Sequence, residues 1–314
     1  MVKIMEPSYL VLYRKGILAE RVKEALNLLE CCNLCPRECG VNRLEGETGY
    51  CKTGRKAIIA SYNPHFGEES PLVGIHGSGT IFISSCNLLC SFCQNFEISH
   101  LMEGVEADPS QIADIMIRLE GMGCHNINFV SPTHVIPQLL ESLIIAIDRG
   151  LNIPLVYNSG GYDNAEVLKI LEGIFDIYMP DFKFWDKEWS ERYCNASDYR
   201  DAAISTLREM YRQTGDLIVD NRGIAVKGLL IRHLVMPEDV CGTSKIMDFI
   251  GREISRKCYV NVMDQYRPCG KASRDKFINR RLTSQEFRRA IDSAKKAGLI
   301  RLDRSDRKRL IFEL

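Results

Sequence analysis

The chain has 314 residues, of which 45% are hydrophobic and 26% charged, and its formal net charge is zero. This is the composition of a globular protein with a large core, and its neutrality excludes a general electrostatic attraction to DNA. The apolar run at residues 139–147 is too short to span a bilayer, and the N-terminus lacks a signal-peptide pattern. We therefore expect no membrane association and a cytoplasmic location.

The predicted elements begin with a helix over residues 8–30, followed by a cysteine-rich segment with proline and glycine turns. From residue 77 onward, short β-branched and aromatic runs alternate with helical patterns. Such alternation is typical of a parallel sheet with helices outside it. The predicted strands lie within residues 79–84, 127–132, 153–159, 174–184, 226–237 and 258–266.

Several of the intervening helices carry start and stop signals. Asp108 and Pro109 predict a helix start, and residues 163–166 predict a capping box. A helix over 135–149 is expected to end at Gly150. Two further helices are predicted within residues 238–254 and 283–298.

Six strands are too few for a closed eight-stranded barrel, so we predict a partial (β/α)6 TIM-like barrel with a small cysteine-rich N-terminal segment. Ligands in such sheets bind at the carboxyl ends of the strands. We divide the chain into a helical segment 1–30, a metal knuckle and linker 31–76, a barrel core 77–270 and a basic helical extension 271–314. The polar residues at or just past a predicted strand end are Cys86, Ser131, Asn158, Asp181, Arg232 and Tyr266.

Thirteen cysteines are many for a cytosolic protein, and eight of them fall within the first 93 residues in two tight groups. An odd total without a secretion signal indicates metal binding rather than disulfide bonds. We interpret the scattered remainder as small buried hydrophobic residues: Cys124, Cys194, Cys241, Cys258 and Cys269.

Cys86, Cys90 and Cys93 form a C-x3-C-x2-C group directly after the first predicted strand. A structural zinc site normally has four protein ligands, and only His100 is a nearby fourth candidate. Three thiolates can instead hold a [4Fe–4S] cluster and leave one iron open for another ligand. A zinc site completed from a distance and unmetallated core cysteines are the alternatives.

The same group, with Phe92 before its last cysteine, resembles the signature of the radical S-adenosylmethionine (SAM) superfamily. The flanking "GEESPLVGIHGSGTIFISSCNLLCSFCQN" and the downstream "YNSGGY", "DIYMPDFKFWD", "IRHLVMP" and "NVMDQYRP" resemble the branch related to pyruvate formate-lyase-activating enzyme. This resemblance covers roughly residues 31–270. It implies that SAM chelates the open iron and is cleaved to methionine and a 5′-deoxyadenosyl radical, which abstracts hydrogen from a substrate.

The resemblance also implies which residues surround SAM. Asp181 and Lys183 resemble the activating enzymes' Asp-x-Lys in the SAM and cation site, and period-two spacing places both on one strand face. Asn158 and Ser159 match a polar pair near the SAM carboxylate and a monovalent cation, although the glycines beside them could simply form a turn. Arg232 resembles the arginine that approaches SAM; structural ion pairs are the alternative. The candidate SAM-binding residues are Phe92, Ser131, Asn158, Ser159, Asp181, Lys183 and Arg232.

One segment departs from the branch. Many relatives carry a Gly-Gly-Glu run that contacts the SAM amino group, whereas this chain has "FVSPTH" at residues 129–134. Ser131 or nearby backbone carbonyls would have to replace that contact. His134 is a candidate on the substrate side or else a helix-start residue. Gln265 and Tyr266, after the last strand, are candidates on the ribose or substrate side.

Four cysteines near the N-terminus, Cys32, Cys35, Cys39 and Cys51, predict a second metal site. Their short spacing and the proline and glycine turns between them are typical of a metal knuckle. Four thiolates suit structural zinc or an iron–sulfur cluster. Zinc is slightly favoured because such knuckles commonly hold small loop-rich segments together, and Cys31 is expected to be a bystander.

The sequence thus predicts a radical SAM enzyme that abstracts hydrogen from a protein or peptide, such as a glycyl-radical enzyme, with a flavodoxin- or ferredoxin-type electron donor. A radical SAM enzyme for a small molecule or RNA is an alternative. A non-catalytic electron-transfer module with two metal centres is an alternative from another class. Residues 271–310 hold 14 basic and 5 acidic residues, which predicts a solvated helix face or a docking patch for an acidic electron carrier.

Overall fold

Parallel strands form the centre of the fold, which a computed structural model describes over residues 6–303. In chain order the strands are β1 (Ala57–His65), β2 (Ser78–Ile83), β3 (Val105–Ala107), β4 (Ile127–Val130), β5 (Leu155–Ser159), β6 (Ile177–Pro180), β7 (Ile218–Val219), β8 (Ala225–Leu234), β9 (Tyr259–Met263) and β10 (Arg301–Leu302).

The sheet runs in the order β10-β9-β8-β6-β5-β4-β2-β1-β3, with β7 paired to β8. Strands β2, β4, β5, β6, β8 and β9 are mutually parallel and correspond to the six predicted runs. The sheet ends on β10 and β3 rather than closing on itself. The prediction of a partial TIM-like barrel with a cysteine-rich N-terminal segment is confirmed.

Strand β1 was missed by the sequence analysis, which placed the first strand at 79–84. It pairs antiparallel with both β2 and β3 and extends the sheet beyond the parallel part. Its buried residues Ala57 and Ile59 alternate with partly exposed ones, and Pro64 lies near its end. This pattern of a half-exposed antiparallel strand lacks the continuous apolar run that marks the parallel strands.

The helices lie mainly between strands, as predicted, but their boundaries differ at two places. The single helix expected over 8–30 is wrong, because Gly16 adopts φ 74° and separates two helices. The capping box expected at 163–166 is also wrong, because Asn164 caps that helix instead. The helices are α1 (Ser8–Arg14), α2 (Ile17–Asn27), α3 (Ser70–Val73), α4 (Phe96–Ser99), α5 (Pro109–Gly121), α6 (Ile136–Asp148), α7 (Ala165–Ile170), α8 (Lys187–Cys194), α9 (Tyr199–Thr214), α10 (Thr243–Phe249, continued by a π-helix over Ile250–Ile254) and α11 (Ser284–Lys296).

Local sequence explains why these helices begin where they do. Asp108 and Gln111 form a capping box at the start of α5, with Pro109 in its first turn, as the sequence predicted. Thr283 and Glu286 form a second capping box at α11. Part of the predicted basic extension is therefore helical, and its residues 304–314 lie outside the described residues.

The apolar core has two parts, and their arrangement positions the site. The larger part lies between the sheet and its helices and includes Leu18 of α2. The smaller part fills the barrel interior, where Val156, Ile177 and Leu230 pack together with Leu72 from α3. Polar side chains occupy the interior nearer the carboxyl ends of the strands. Over residues 6–303, no helix is both long and apolar enough to cross a bilayer.

Candidate functional site

The loop between β2 and α4 carries Cys86, Cys90 and Cys93. A turn brings the last two together, since the Cys93 amide donates to the Cys90 carbonyl at 3.0 Å. Ser85 and Leu89 adopt left-handed backbone, with φ of 71° and 49°. The chain therefore curls back sharply within a few residues, at the carboxyl end of the first parallel strand.

The thiols of this loop are set among hydrogen-bond donors. The Leu88 amide donates to Cys86 Sγ at 3.4 Å, and the Ser99 hydroxyl donates to Cys93 Sγ at 3.2 Å. Burial raises the pKa of Cys86 to about 12 and also raises the pKa of Cys93. Iron binding would displace these protons, and the donors would then stabilise the resulting thiolates.

His100, the only nearby fourth ligand that the sequence offered, is engaged elsewhere. Its Nδ1 lies 2.8 Å from the Ser99 hydroxyl, and its Nε2 lies 3.2 Å from the Leu89 carbonyl. Its ring also stacks on Phe96 at 4.2 Å between centroids. The loop therefore presents three thiols, which suits a [4Fe–4S] cluster with one open iron.

A fourth cysteine adjoins this loop, and the sequence analysis missed it. Cys194, at the end of α8, places its Sγ 3.3 Å from Cys90 Sγ. The contact with Cys194 and burial together raise the pKa of Cys90. The prediction that Cys194 is buried is confirmed, but its position beside a cluster ligand depends on a contact 104 residues away, which no local pattern signals.

Two predicted residues lie side by side in an aromatic group under the loop. Phe92 packs its ring against Phe184, Tyr193 and Tyr266, with centroids 5.8, 6.2 and 6.4 Å away. The Tyr266 hydroxyl donates to the Ile278 carbonyl at 2.6 Å. Both side chains are thus part of the support for the loop, and their predicted contacts with SAM or substrate stay predictions.

Four of the predicted SAM-binding residues meet inside the barrel. Arg232 on β8 donates from Nε to Asp181 Oδ1 at 2.8 Å and from an Nη to Asn158 Oδ1 at 2.6 Å. Lys183 forms an ion pair with the other oxygen of Asp181. The two cations hold the pKa of Asp181 below its usual value even though burial opposes this. We call these four residues and the acidic pair described next the Arg232 group.

Glu68 and Glu69, which precede α3, complete the Arg232 group and were not predicted. Glu68 lies 3.6 Å from Arg232, and Glu69 accepts from the Asn261 amide at 2.9 Å. Burial raises the pKa of both carboxyls. Both lie in the "GEESP" segment that contributed to the resemblance, but nothing local indicated that it folds back into the barrel.

Unsatisfied polar atoms face the same interior. Asn128 on β4 is fully buried and is paired in register with the interior residue Val156. Its side chain makes no hydrogen bond of normal length and angle, but it interacts with the Glu68 carboxyl and opposes the rise in the pKa of that group. Glu69 Oε2 has no hydrogen-bond partner among the described residues. Buried polar atoms are normally hydrogen-bonded, so this interior fits a polar ligand with ammonium, carboxylate and hydroxyl groups, such as SAM.

The structure does not bring Ser159 into the Arg232 group. Its hydroxyl points to the other side of β5 and donates to Asp163 at 2.6 Å. Asp163 also accepts from Thr133 and Tyr157, at 2.6 and 2.8 Å. Ser131, at φ 61°, lies at the end of β4, and its amide donates to the Asn158 carbonyl at 2.8 Å.

The last two candidates lie apart from the Arg232 group. Gln265 is exposed, and its amide contacts Met263 Sδ at 3.2 Å. His134 is buried, and its Nε2 lies 2.9 Å from the Ser84 carbonyl. Burial lowers the pKa of His134 to about 4, so the ring is neutral at pH 7.

The N-terminal cysteines Cys32, Cys35, Cys39 and Cys51 line a common cavity, whereas Cys31 is exposed. We call residues 31–56 the knuckle. Among residues 6–303, no set of three or more His, Cys, Asp and Glu side chains is arranged to hold a single metal ion. This statement covers both cysteine groups.

Comparisons with known proteins identify the superfamily of this chain. The model of the radical SAM superfamily matches residues 80–223, which include the cysteine loop and β4 to β6. Uncharacterized protein MJ0674 of Methanocaldococcus jannaschii is 36% identical over 296 residues, covering 91% of this chain and 80% of that protein. Uncharacterized protein MJ0808 of the same organism is 27% identical over 230 residues, covering 66% of each chain. The chain belongs to the radical SAM superfamily.

Solved structures resemble this one only distantly. The cobalamin-dependent S-adenosylmethionine radical enzyme OxsB has a TM-score of 0.40 and 14% identity, covering 60% of this chain and 28% of that one. QueE from Escherichia coli has a TM-score of 0.39 and 12% identity, covering 83% of this chain and 97% of that one. Membership of the superfamily implies an enzyme that uses a [4Fe–4S] cluster and SAM.

Proposed function

We propose that this chain is a radical SAM enzyme of the activating-enzyme-like kind, which abstracts hydrogen from a protein or peptide substrate. The observation that carries the proposal is the Arg232 group, which lies with the cysteine loop at the carboxyl ends of the parallel strands. Cys86, Cys90 and Cys93 would hold the [4Fe–4S] cluster. When bound, the cluster supplies the electron that cleaves the sulfonium of SAM.

The charges of the Arg232 group suit SAM. Three carboxyl groups, on Glu68, Glu69 and Asp181, face two cations, on Arg232 and Lys183. SAM carries a sulfonium, an ammonium and a carboxylate, so its net positive charge would favour the ionised forms of Glu68 and Glu69, whose pKa burial raises. The two cations can also contact its carboxylate, and a planar guanidinium does so with two parallel hydrogen bonds.

Two further contacts are proposed at the same place. The amide of Asn128, which lies beside Glu68, can bond the polar groups of SAM. The oxygens of Asp181 and Asn158 lie on neighbouring strands and both contact Arg232, so they can also serve a monovalent cation. Oxygen ligands are the ones that hard cations prefer.

A polypeptide substrate is supported by the surface that follows the cysteine loop. Leu101 and Val105 are exposed by 62% and 75%. Val105 begins β3, which is the last strand at that end of the sheet, so its outer edge can pair with an extended peptide. We propose a cytoplasmic enzyme that, like radical SAM enzymes generally, takes its electron from a flavodoxin or ferredoxin.

The substrate class can be tested without knowing the substrate. The iron-loaded, reduced enzyme is mixed with SAM and with an extract of its native host, separated by size, and 5′-deoxyadenosine is measured. The proposal predicts that the macromolecular fraction stimulates product formation and that protease treatment removes the stimulation. Stimulation that is sensitive to ribonuclease, or confined to the small-molecule fraction, would contradict it.

A further inference from the structure

The sulfurs of the central cysteine loop differ in the donors that they meet. Those of Cys86 and Cys93 accept hydrogen bonds from a backbone amide and a hydroxyl, respectively. Cys90 Sγ meets a thiol instead, that of Cys194 at the end of α8, with 3.3 Å between the two sulfurs. Within residues 6–303, this thiol is the hydrogen-bond partner of Cys90 Sγ, and nothing else donates to it.

The hydrogen between these two sulfurs belongs to Cys194 once Cys90 binds iron. A thiol carries one hydrogen and can act as a weak donor or a weak acceptor. A cysteine binds metal as the thiolate, so Cys90 would then have no hydrogen to give. Cys194 is therefore the donor in this contact when the central site is loaded.

Backbone hydrogen bonds hold the end of α8 against the cysteine loop. The Ser91 amide of the loop donates to the Tyr193 carbonyl at 2.8 Å. Arg37 of the knuckle donates to the carbonyls of Asn87 and Cys194, at 3.0 and 2.9 Å. One guanidinium therefore joins the loop to the end of the helix, and the backbone on both sides of the contact between the sulfurs is held in place.

The contact is also shielded from water. Cys90 and Cys194 are 8% and 1% exposed. Their chain neighbours Phe92 and Tyr193 pack ring against ring beside them, with centroids 6.2 Å apart. A hydrogen bond in such surroundings is electrostatically stronger than one in water, because no bulk solvent competes for the sulfur.

We propose that Cys194 is a positioning residue for the central [4Fe–4S] cluster. Its thiol donates a hydrogen bond to Cys90 Sγ and thereby raises the reduction potential of the cluster. Hydrogen bonds to the sulfurs are among the features that set the reduction potentials of iron–sulfur clusters. The inference rests on the part of the proposed function that assigns the cluster to Cys86, Cys90 and Cys93, and it does not depend on the class of substrate.

The direction of the effect follows from charge. The electron carrier supplies one electron, no bond forms or breaks, and the hydrogen stays on Cys194. The added negative charge is shared with the ligand sulfurs, and a donor interacts more strongly with a sulfur that carries more charge. The hydrogen bond from Cys194 therefore stabilises the reduced state more than the oxidised state, and the carrier can reduce the site more readily.

Redox titration of the iron-loaded protein without SAM tests the proposal. Wild-type protein and Cys194→Ala are titrated with mediators, and the reduced fraction is followed by electron paramagnetic resonance. Cys194→Ala should keep the central iron. At a fixed potential its ratio of reduced to oxidised cluster should fall about tenfold, which is about 59 mV for a one-electron couple. An unchanged potential would overturn the proposal, and so would loss of the central iron, which would make Cys194 a ligand.

Matched variants separate the hydrogen bond from packing. Cys194→Ser keeps a donor and should titrate closer to the wild type than Cys194→Ala. Cys241→Ala is the control, because Cys241 is also fully buried but its thiol donates to the Leu234 carbonyl at 3.3 Å. It should leave the potential unchanged. A shift in Cys194→Ser or in Cys241→Ala as large as that in Cys194→Ala would contradict the role of the hydrogen bond.

Two further measurements complete the test. If Cys194→Ala does not fold, Cys194→Val takes its place, because valine also lacks a donor and fills the space of the sulfur. Iron analysis of the wild-type protein distinguishes this inference from the proposed function. Absence of central iron from the wild type would overturn both, whereas bound iron with a potential that does not respond to Cys194 would overturn this inference alone.

Discussion

The two cysteine groups of this chain lie against each other but have opposite surroundings. Cys86, Cys90 and Cys93 follow a barrel strand and adjoin an interior that holds the ion pair of Asp181 and Lys183. Cys32, Cys35, Cys39 and Cys51 enclose their own cavity beside a buried arginine. Three thiols beside a polar interior would leave room for a reactant, whereas four thiols around a small enclosed space would suit a closed metal site. On this interpretation the surroundings, together with the count of thiols, separate a reactive centre from a closed one.

The largest effect that this comparison predicts comes from single cysteine replacements. Cys90→Ala should reduce 5′-deoxyadenosine formation to the background of SAM alone, because two thiolates cannot hold the cluster that supplies the electron. It should leave any metal of the knuckle in place. Cys35→Ala should instead remove that metal and leave the central iron unchanged. If Cys90→Ala kept all its iron, the assignment of the central site would be wrong.

The next effect concerns Arg232, whose charge balances the carboxylates of the barrel interior. Arg232→Met should lower the free energy of unfolding by about 3–5 kcal/mol, because it leaves the buried Asp181 with only Lys183 as a counter-ion and removes the ion pair with Glu68. It should also abolish SAM binding, measured by calorimetric titration of the variant where it remains folded.

Arg222 offers the matched control for that variant, because it also pairs with an aspartate, Asp220, at 2.8 Å, but is 67% exposed. Arg222→Met should change the free energy of unfolding by less than about 1 kcal/mol and leave SAM binding unchanged. If urea unfolding showed equal losses of unfolding free energy for the two variants, burial would not distinguish the two ion pairs.

A smaller effect is expected away from both cysteine groups, at Asp176. Burial raises the pKa of Asp176 to about 6 from 3.8, although the Ser8 amide donates to it at 3.0 Å. The folded state therefore binds the proton more tightly than the unfolded state, and stability falls as pH rises from about 4 to about 6.

Asp176→Asn removes that dependence and should stabilise the protein by about 2–3 kcal/mol at pH 7.5, with a smaller gain at pH 5. Urea unfolding at the two pH values measures this difference, and the metal content of both cysteine groups should stay the same. A gain that does not change with pH would contradict the assigned protonation of Asp176.

The smallest effect tests the hydrogen bonds between the knuckle and the central cysteine loop. Arg37→Lys cannot keep the three carbonyl contacts, to Asn87, Cys194 and Asn195, that join the knuckle to the central loop. It should lower the free energy of unfolding by about 1–2 kcal/mol and speed the loss of central iron to a chelator. Arg21→Lys, at an exposed pair with Glu24, is the control. Identical rates of iron loss in the two variants would mean that the Arg37 hydrogen bonds do not stabilise the central loop.

Features that depend on short stretches of consecutive residues could be predicted from the sequence. The alternation of apolar runs and helical patterns predicted the six parallel strands, and the C-x3-C-x2-C group was correctly placed in a loop directly after the first of them. Polar residues at strand ends were correctly placed in the interior at Asn158, Asp181 and Arg232, because parallel strands bring their carboxyl ends together.

Features that depend on contacts between distant parts of the chain could not be predicted. Glu69 meets Asn261 across 192 positions, and Cys194 meets Cys90 across 104. Only the folded barrel creates these contacts. Ser159 illustrates a second limit of prediction from the sequence. It follows Asn158 directly, but side chains alternate between the two faces of a strand. Ser159 therefore lies on the other face, where its hydroxyl donates to Asp163.

The most direct test of the account is the yield of 5′-deoxyadenosine and methionine from SAM. The iron-loaded wild-type protein and the variant without Cys86, Cys90 and Cys93 are reduced with dithionite under identical conditions. The account predicts equal amounts of the two products from the wild-type protein and none above background from the variant. No 5′-deoxyadenosine from the iron-loaded wild-type protein, or the same yield from the variant, would contradict it.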